Sequence, residues 1–130
     1  MISFVFVLLM VMQVGIAYAA NTSDTSFEFL FGNTSFTQYT ASRRKDDTSP
    51  AYMYVQNHTG DIAKVAAVKG NYGESSYTPI IYIPRTGTYC ISSNVYEDGA
   101  RALRLRVQKY NTFSAMYLKG LWSPDSWSCK

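Results

Sequence analysis

At 130 residues the chain has room for one domain. Its formal charge of +3 favours loose attraction to anionic surfaces such as cell-wall polymers or phospholipid headgroups, but is too mild to specify nucleic acid. A tetrahedral Cys/His metal site is excluded, because the chain holds two cysteines and one histidine.

Residues Met1 to Ser23 carry no side chain charged at neutral pH, and Ile2 to Met12 is apolar apart from Ser3. Ala17-Tyr18-Ala19 is a small-x-small cleavage signal, so residues 1–19 read as a signal peptide and the protein as secreted and extracellular. No Lys or Arg precedes the apolar run, which leaves an uncleaved membrane anchor as the rival reading. Ile2 to Ala19 is 18 residues, at the short limit for crossing ~30 Å of hydrocarbon.

Residues 20–26 read as a mobile N-terminal arm ahead of a single β domain over 27–130. Phe27, Phe29 and Phe31 alternate with Glu28 and Leu30, which puts three rings on one face of a strand. Ser35 to Ala41 is a second strand, and Ser42 to Pro50, with Arg43-Arg44-Lys45, is an exposed loop. Ala51 to Gln56 alternates again. Asn57 to Asp61 then turns the chain into Ile62 to Val68, Gly70 to Ser76 is a loop, and Ile80 to Ile83 is an apolar run between prolines.

Tyr89 to Tyr96 and Ala100 to Gln108 flank Glu97-Asp98-Gly99 and read as a hairpin. A three-residue loop with Gly99 in the left-handed conformation opposes Ile91 to Leu105 and Tyr89 to Val107, and turns Arg104 and Arg106 outward. Ala100, Leu103, Val107 and Tyr110 also have helical spacing, so a helix here remains the alternative. Phe113 to Trp122 is the last strand before a tail that ends at Lys130. Short strands with turn signals at this spacing predict an all-β fold, a two-layer antiparallel sandwich or flattened barrel.

A domain this small buries about two-thirds of the surface its unfolded chain exposes, so a covalent staple would help it. With Cys90 and Cys129 the only cysteines, and an exported chain, a single disulfide is expected.

Aromatic residues make up 15% of the chain. They can form a platform that stacks sugar rings or bases, or simply suit a half-buried pleated surface. Arg101, Arg104, Arg106 and Lys109 form one basic cluster and Arg43, Arg44 and Lys45 another. Arg104 and Arg106, two residues apart on one strand face, are placed to grip a phosphate or carboxylate, or else to keep an outer face soluble. His58 sits in the predicted turn with no acidic partner beside it, and no glycine-rich phosphate loop appears, so no catalytic residue, metal or cofactor is assigned. Asn21-Thr22-Ser23, Asn33-Thr34-Ser35 and Asn57-His58-Thr59 match the N-glycosylation pattern.

Asn94-Val95-Tyr96-Glu97-Asp98-Gly99-Ala100-Arg101-Ala102-Leu103-Arg104-Leu105 and Gly120-Leu121-Trp122-Ser123-Pro124-Asp125-Ser126 together resemble a family of small secreted proteins of Gram-positive bacteria with no established function. The resemblance implies a signal peptide, a β-rich domain closing on the Trp-Ser-Pro-Asp-Ser tail, and a cell-surface or extracellular role. It covers mainly residues 88–126. The chain departs from it by running on to Trp127-Ser128-Cys129-Lys130, so the disulfide need not be shared.

Together these readings predict a monomeric, non-catalytic secreted protein that acts as a binding or interaction module at a cell envelope. Its expected partner is an anionic cell-surface polymer or another protein. The alternatives are a bacteriocin-like or toxin protein acting on a membrane and, third, a small secreted hydrolase.

Overall fold

The computed structural model describes residues 21–70, 79–111 and 114–129. The leader, most of the expected 70–76 loop, and Phe113 lie outside them. Nine strands and no helix make up the described fold: β1 (Thr25–Phe31), β2 (Thr37–Tyr39), β3 (Arg43–Arg44), β4 (Ala51–Gly60), β5 (Ala63–Lys69), β6 (Ile81–Ile83), β7 (Gly87–Ile91), β8 (Ala102–Lys109) and β9 (Met116–Ser123). They form two antiparallel sheets packed face to face, not closed into a barrel. One has the order β1-β9-β4-β7. The other has the order β2-β8-β5-β6, with β3 beside β2 on the free edge of β8.

Period-two alternation builds both inner faces. From the first sheet come Phe27, Phe29 and Phe31, then Met53 and Val55, Ile91, and Met116, Leu118 and Trp122. From the second come Ala63, Val65 and Ala67, Ile83, and Leu103, Leu105 and Val107. The three phenylalanines pack ring to ring along β1, with centroids 5.7 and 6.3 Å apart.

The expected hairpin is not formed. Ile91 pairs with Ala51 and Tyr89 with Met53 in the first sheet, while Leu105 pairs with Ala67 and Val107 with Val65 in the second. Residues 92–101 cross between the layers through a turn in which Gly99, at φ +88°, donates its N–H to the Tyr96 carbonyl. Alternation tells which side chains face the core, but both layers face the same core. It therefore cannot say in which layer a strand lies. Ala102–Lys109 is a strand, so the helical alternative is excluded, and Leu103, Leu105 and Val107 are buried with Arg104 and Arg106 on the opposite face.

Two segments differ from the sequence reading. β4 continues through Gly60, so His58 lies on a strand and not in a turn. A bulge between Val55 and Asn57 shifts the register, and Gln56 has no partner on β9. His58 consequently pairs with buried Leu118, and its Nε2 is buried without a hydrogen-bond partner among the described residues. Residues 42–50 are not an exposed loop: Arg43 and Arg44 pair with Leu103 and Ala102, and Lys45 is 1% exposed. Lys109 is also fully buried, its Nζ donating to the Gly32 carbonyl at 2.6 Å. A lysine can occupy such a position only where fixed acceptors replace water around its ammonium.

Cys90 on β7 and Cys129 in the tail are joined as a disulfide, with Cα atoms 5.4 Å apart and a sequence separation of 39. That separation lies within the range a disulfide can span.

Candidate functional site

The tail is directed by the residues that end β9. Pro124 cannot donate to a ladder, so pairing stops at Ser123. Asp125 then turns inward and is fully buried. Its Oδ1 meets Lys45 Nζ at 2.5 Å. Its Oδ2 accepts the backbone N–H of Asn21 at 2.8 Å and of Asp46 at 2.9 Å. Lys45 Nζ also donates to the carbonyls of Pro124, at 2.9 Å, and Ser49. Ser123 Oγ donates to the Asp125 carbonyl and the Ser126 N–H to Ser49 Oγ. Asn21, expected in a mobile arm, is thus held to the tail, and its Nδ2 donates to the Arg44 carbonyl.

Asp47 faces the same network. Burial pushes its carboxyl up, but the hydroxyl and amide of Ser49 outweigh that, and Asp125 and Lys45 add to them, so its pKa lies below the ordinary 3.8.

Beyond Ser126 the tail lies beside the outer face of the first sheet, held at its end by Cys129. Trp127, between these two anchors, is 69% exposed. Tyr52 stands at the same end of that face, paired with Ser123 on one side and Cys90 on the other. An open groove of about 590 Å³ results, with Trp127 and Tyr52 supplying rings, Thr22 and Ser128 exposed hydroxyls, Asp24 a carboxylate, and the buried Ser123 and Ser126 completing the lining. Rings that offer an apolar face, ringed by groups that both donate and accept hydrogen bonds, suit a ligand with a flat C–H face and several hydroxyls.

The basic residues singled out in the sequence are distributed differently. Lys45 is taken up by Asp125. Arg43 donates to the Trp122 carbonyl, Asn21 Oδ1 and Ser23 Oγ, and its guanidinium lies 5.3 Å from the Trp122 ring. Burial lowers its pKa, while Asp24 and Asp125 act to raise it. Arg104 and Arg106 share the outer face of β8, where the Arg104 guanidinium covers the Tyr39 ring at 3.9 Å and its Nε is buried without a hydrogen bond among the described residues. The exposed pair that converges is a different one. Arg44, ion-paired to Asp46 at 2.9 Å, and Arg101, stacked on Tyr96 at 3.8 Å, line a second hollow of about 430 Å³.

Sequence reasoning found the aromatic excess and not the groove. Trp127 set among serines beyond Pro124 was the available signal. That Tyr52 and Asp24 stand beside it depends on strand order. Among the described residues, no group of three or more His, Cys, Asp or Glu could hold a metal ion, and no helix is long and apolar enough to cross a membrane.

A family model described as a protein of unknown function, DUF2712, matches residues 15–126. The chain belongs to the DUF2712 family. The match takes in all nine strands and the buried Asp125, while Trp127 and Cys129 lie beyond it. No curated protein and no solved structure matches the chain. Within this DUF2712 chain, therefore, the framework of the groove falls inside the family match, and its most exposed ring falls outside.

Proposed function

We propose that this DUF2712 protein is a non-catalytic, secreted module that binds glycan at a cell envelope. One observation carries the reading: the exposed Trp127 and the half-buried Tyr52 flank a groove lined by hydroxyls and the Asp24 carboxylate. The secreted setting is supported by the apolar leader with its Ala17-Tyr18-Ala19 signal and by a disulfide, a bond that persists in oxidising compartments. The resemblance noted above makes the envelope of a Gram-positive bacterium the first place to look. The polymer is engaged through its sugar rings, because Lys45 and Arg43 are occupied within the fold.

The test is binding of the exported, disulfide-bonded protein to purified cell-wall sacculi, with Trp127→Ala and Tyr52→Ala compared with the unaltered chain. Trp127 is exposed, so its removal should leave the melting temperature in place while weakening binding by about tenfold or more, the cost of losing a central aromatic anchor. Equal binding by both variants would remove the groove from consideration. Leakage from anionic vesicles, with no retention on sacculi, would favour membrane action instead.

A further inference from the structure

Lys45 and Asp125 are 80 residues apart in sequence, yet their side chains meet at 2.5 Å, 2% and 0% exposed. An ion pair in such a place is costly, and hydrophobic replacement of buried pairs is often neutral or stabilising. The surroundings of this pair have a more specific form. Oδ2 of Asp125 faces two backbone N–H groups, from Asn21 and Asp46, at 2.8 and 2.9 Å. Two fixed donors on one carboxyl oxygen are the arrangement that stabilises the oxyanion of a tetrahedral intermediate at an acyl carbon. The other oxygen faces an amine. A second carboxyl, Asp47, stands at the edge of this pair, with an oxygen 4.0 Å from Lys45 Nζ. Nucleophile and acyl carbon are therefore buried together beside oxyanion donors, with a partly exposed carboxyl able to move protons at their edge.

We propose that Lys45 and Asp125 condense to an intramolecular amide, with Asp47 carrying the proton. Lys45 first passes a proton to Oδ1 across their contact, giving the amine that attacks and the acid that is attacked. Nζ attacks Cγ, and the negative charge formed on Oδ2 is held by the Asn21 and Asp46 N–H groups. Asp47 takes a proton from Nζ and returns it to the Oδ1 hydroxyl. The Cγ–Oδ1 bond breaks, one water leaves, and Asp47 is again a carboxylate. One N–C bond forms and one C–O bond breaks, with no oxidation or reduction. The remaining N–H keeps one of the two backbone carbonyls, Ser49 or Pro124, that surround Nζ. Holding the two groups together makes the step unimolecular, with effective molarities that reach roughly 10⁵–10⁸ M in well-oriented systems. The product ties the segment after β3 to the segment after β9 by a second covalent link, independent of Cys90–Cys129.

The experiment is the intact mass of the full chain after export, reduction and denaturation, with a peptide map fixing its N-terminus. The expected mass is lower than the sequence mass by one water, with a branched peptide joining Lys45 to Asp125. Asp47→Ala should keep the fold and restore the full mass. Asp125→Asn should lose one ammonia instead, because the leaving group changes while the donors remain. A folded, unaltered chain at its full sequence mass overturns the proposal and leaves an ion pair. So does loss of water that persists in Lys45→Met.

Discussion

Gly120 offers the most direct test of the register on which the groove rests. It lies on β9, buried, between Phe27 of β1 and Val55 of β4. A Cβ there would stand 1.8 Å from the Tyr54 carbonyl oxygen, 2.9 Å from its carbon and 3.0 Å from Phe27 Cζ. The ring can move a little, but the carbonyl belongs to the backbone of the bulged strand. Gly120→Ala must therefore push β4 and β9 apart where β4 skips Gln56. Overpacking of this kind costs about 1–3 kcal/mol, and rigid neighbours place it towards the upper end. Restricting the unfolded chain returns about 0.4–1 kcal/mol, for a net loss of about 2 kcal/mol. For a domain near 100 residues that lowers the melting temperature by about 10 °C. Thermal unfolding followed by circular dichroism reads it. Gly32→Ala is the control, since nothing lies within 4 Å of its added methyl. If the two variants melt within about 2 °C of each other, the bulge is misplaced and the argument built on the β4–β9 pairing fails.

Replacing Cys90 and Cys129 by Ser should lower stability by about 4 kcal/mol in the chain-entropy account of a loop this long. Urea unfolding midpoints that match those of the unaltered chain would show that the bond constrains nothing. The depressed pKa of Asp47 contributes stability that is complete above the ordinary carboxylate value and is lost as pH falls through the lower folded value. Ser49→Ala removes the largest stabilising contact of that carboxylate, so its acid-unfolding limb should move to higher pH. Superimposable limbs would contradict the hydrogen bonds drawn around Asp47. Retention on an anionic matrix should fall more for Arg44→Gln with Arg101→Gln than for Arg104→Gln with Arg106→Gln. The first pair is exposed and lines a hollow, while Arg104 and Arg106 are half-buried on β8. The reverse order would return anion binding to the outer face of β8.

What the sequence made legible follows from what alternation encodes. Phe27, Phe29 and Phe31 in one direction, and Leu103, Leu105 and Val107 in another, state which side of each strand is dry, and the structure buries all six. Gly99 marked a turn with positive φ because few other residues tolerate one, and that turn exists. The partners of these strands are another matter. Ile91 opposite Leu105 and Ile91 opposite Ala51 satisfy the same pattern, and the choice depends on how the whole set of strands fills two layers. Charge misled for a related reason. Arg43-Arg44-Lys45 followed by two aspartates has the composition of a solvated loop, and only the position of Asp125, 80 residues further on, turns Lys45 inward. A charged side chain is buried when a distant partner fixes it, and such distance leaves no local pattern.

The same dependence on distant partners explains why the groove can be a binding surface even though it is built on a tail. Exposed termini usually fray, and a ring on a fraying segment would have to be ordered whenever ligand arrived. Here Trp122 is sunk in the core, Asp125 is gripped by Lys45 and two backbone N–H groups, and Cys129 is bonded to β7. Trp127 has anchors two residues away on either side, so its backbone has little freedom to lose. Tyr52 belongs to a central strand of the sheet beside it. The groove is therefore positioned by the elements that hold the fold together, and its affinity should track their integrity. Lys45→Met, which leaves Asp125 buried without its partner, should weaken sacculus binding along with stability even though Lys45 contributes no atom to the groove. Trp127→Ala should weaken binding alone. If Lys45→Met remains folded and binds as tightly as the unaltered chain, the tail network does not position the ring, and the link between the buried pair and the surface is absent.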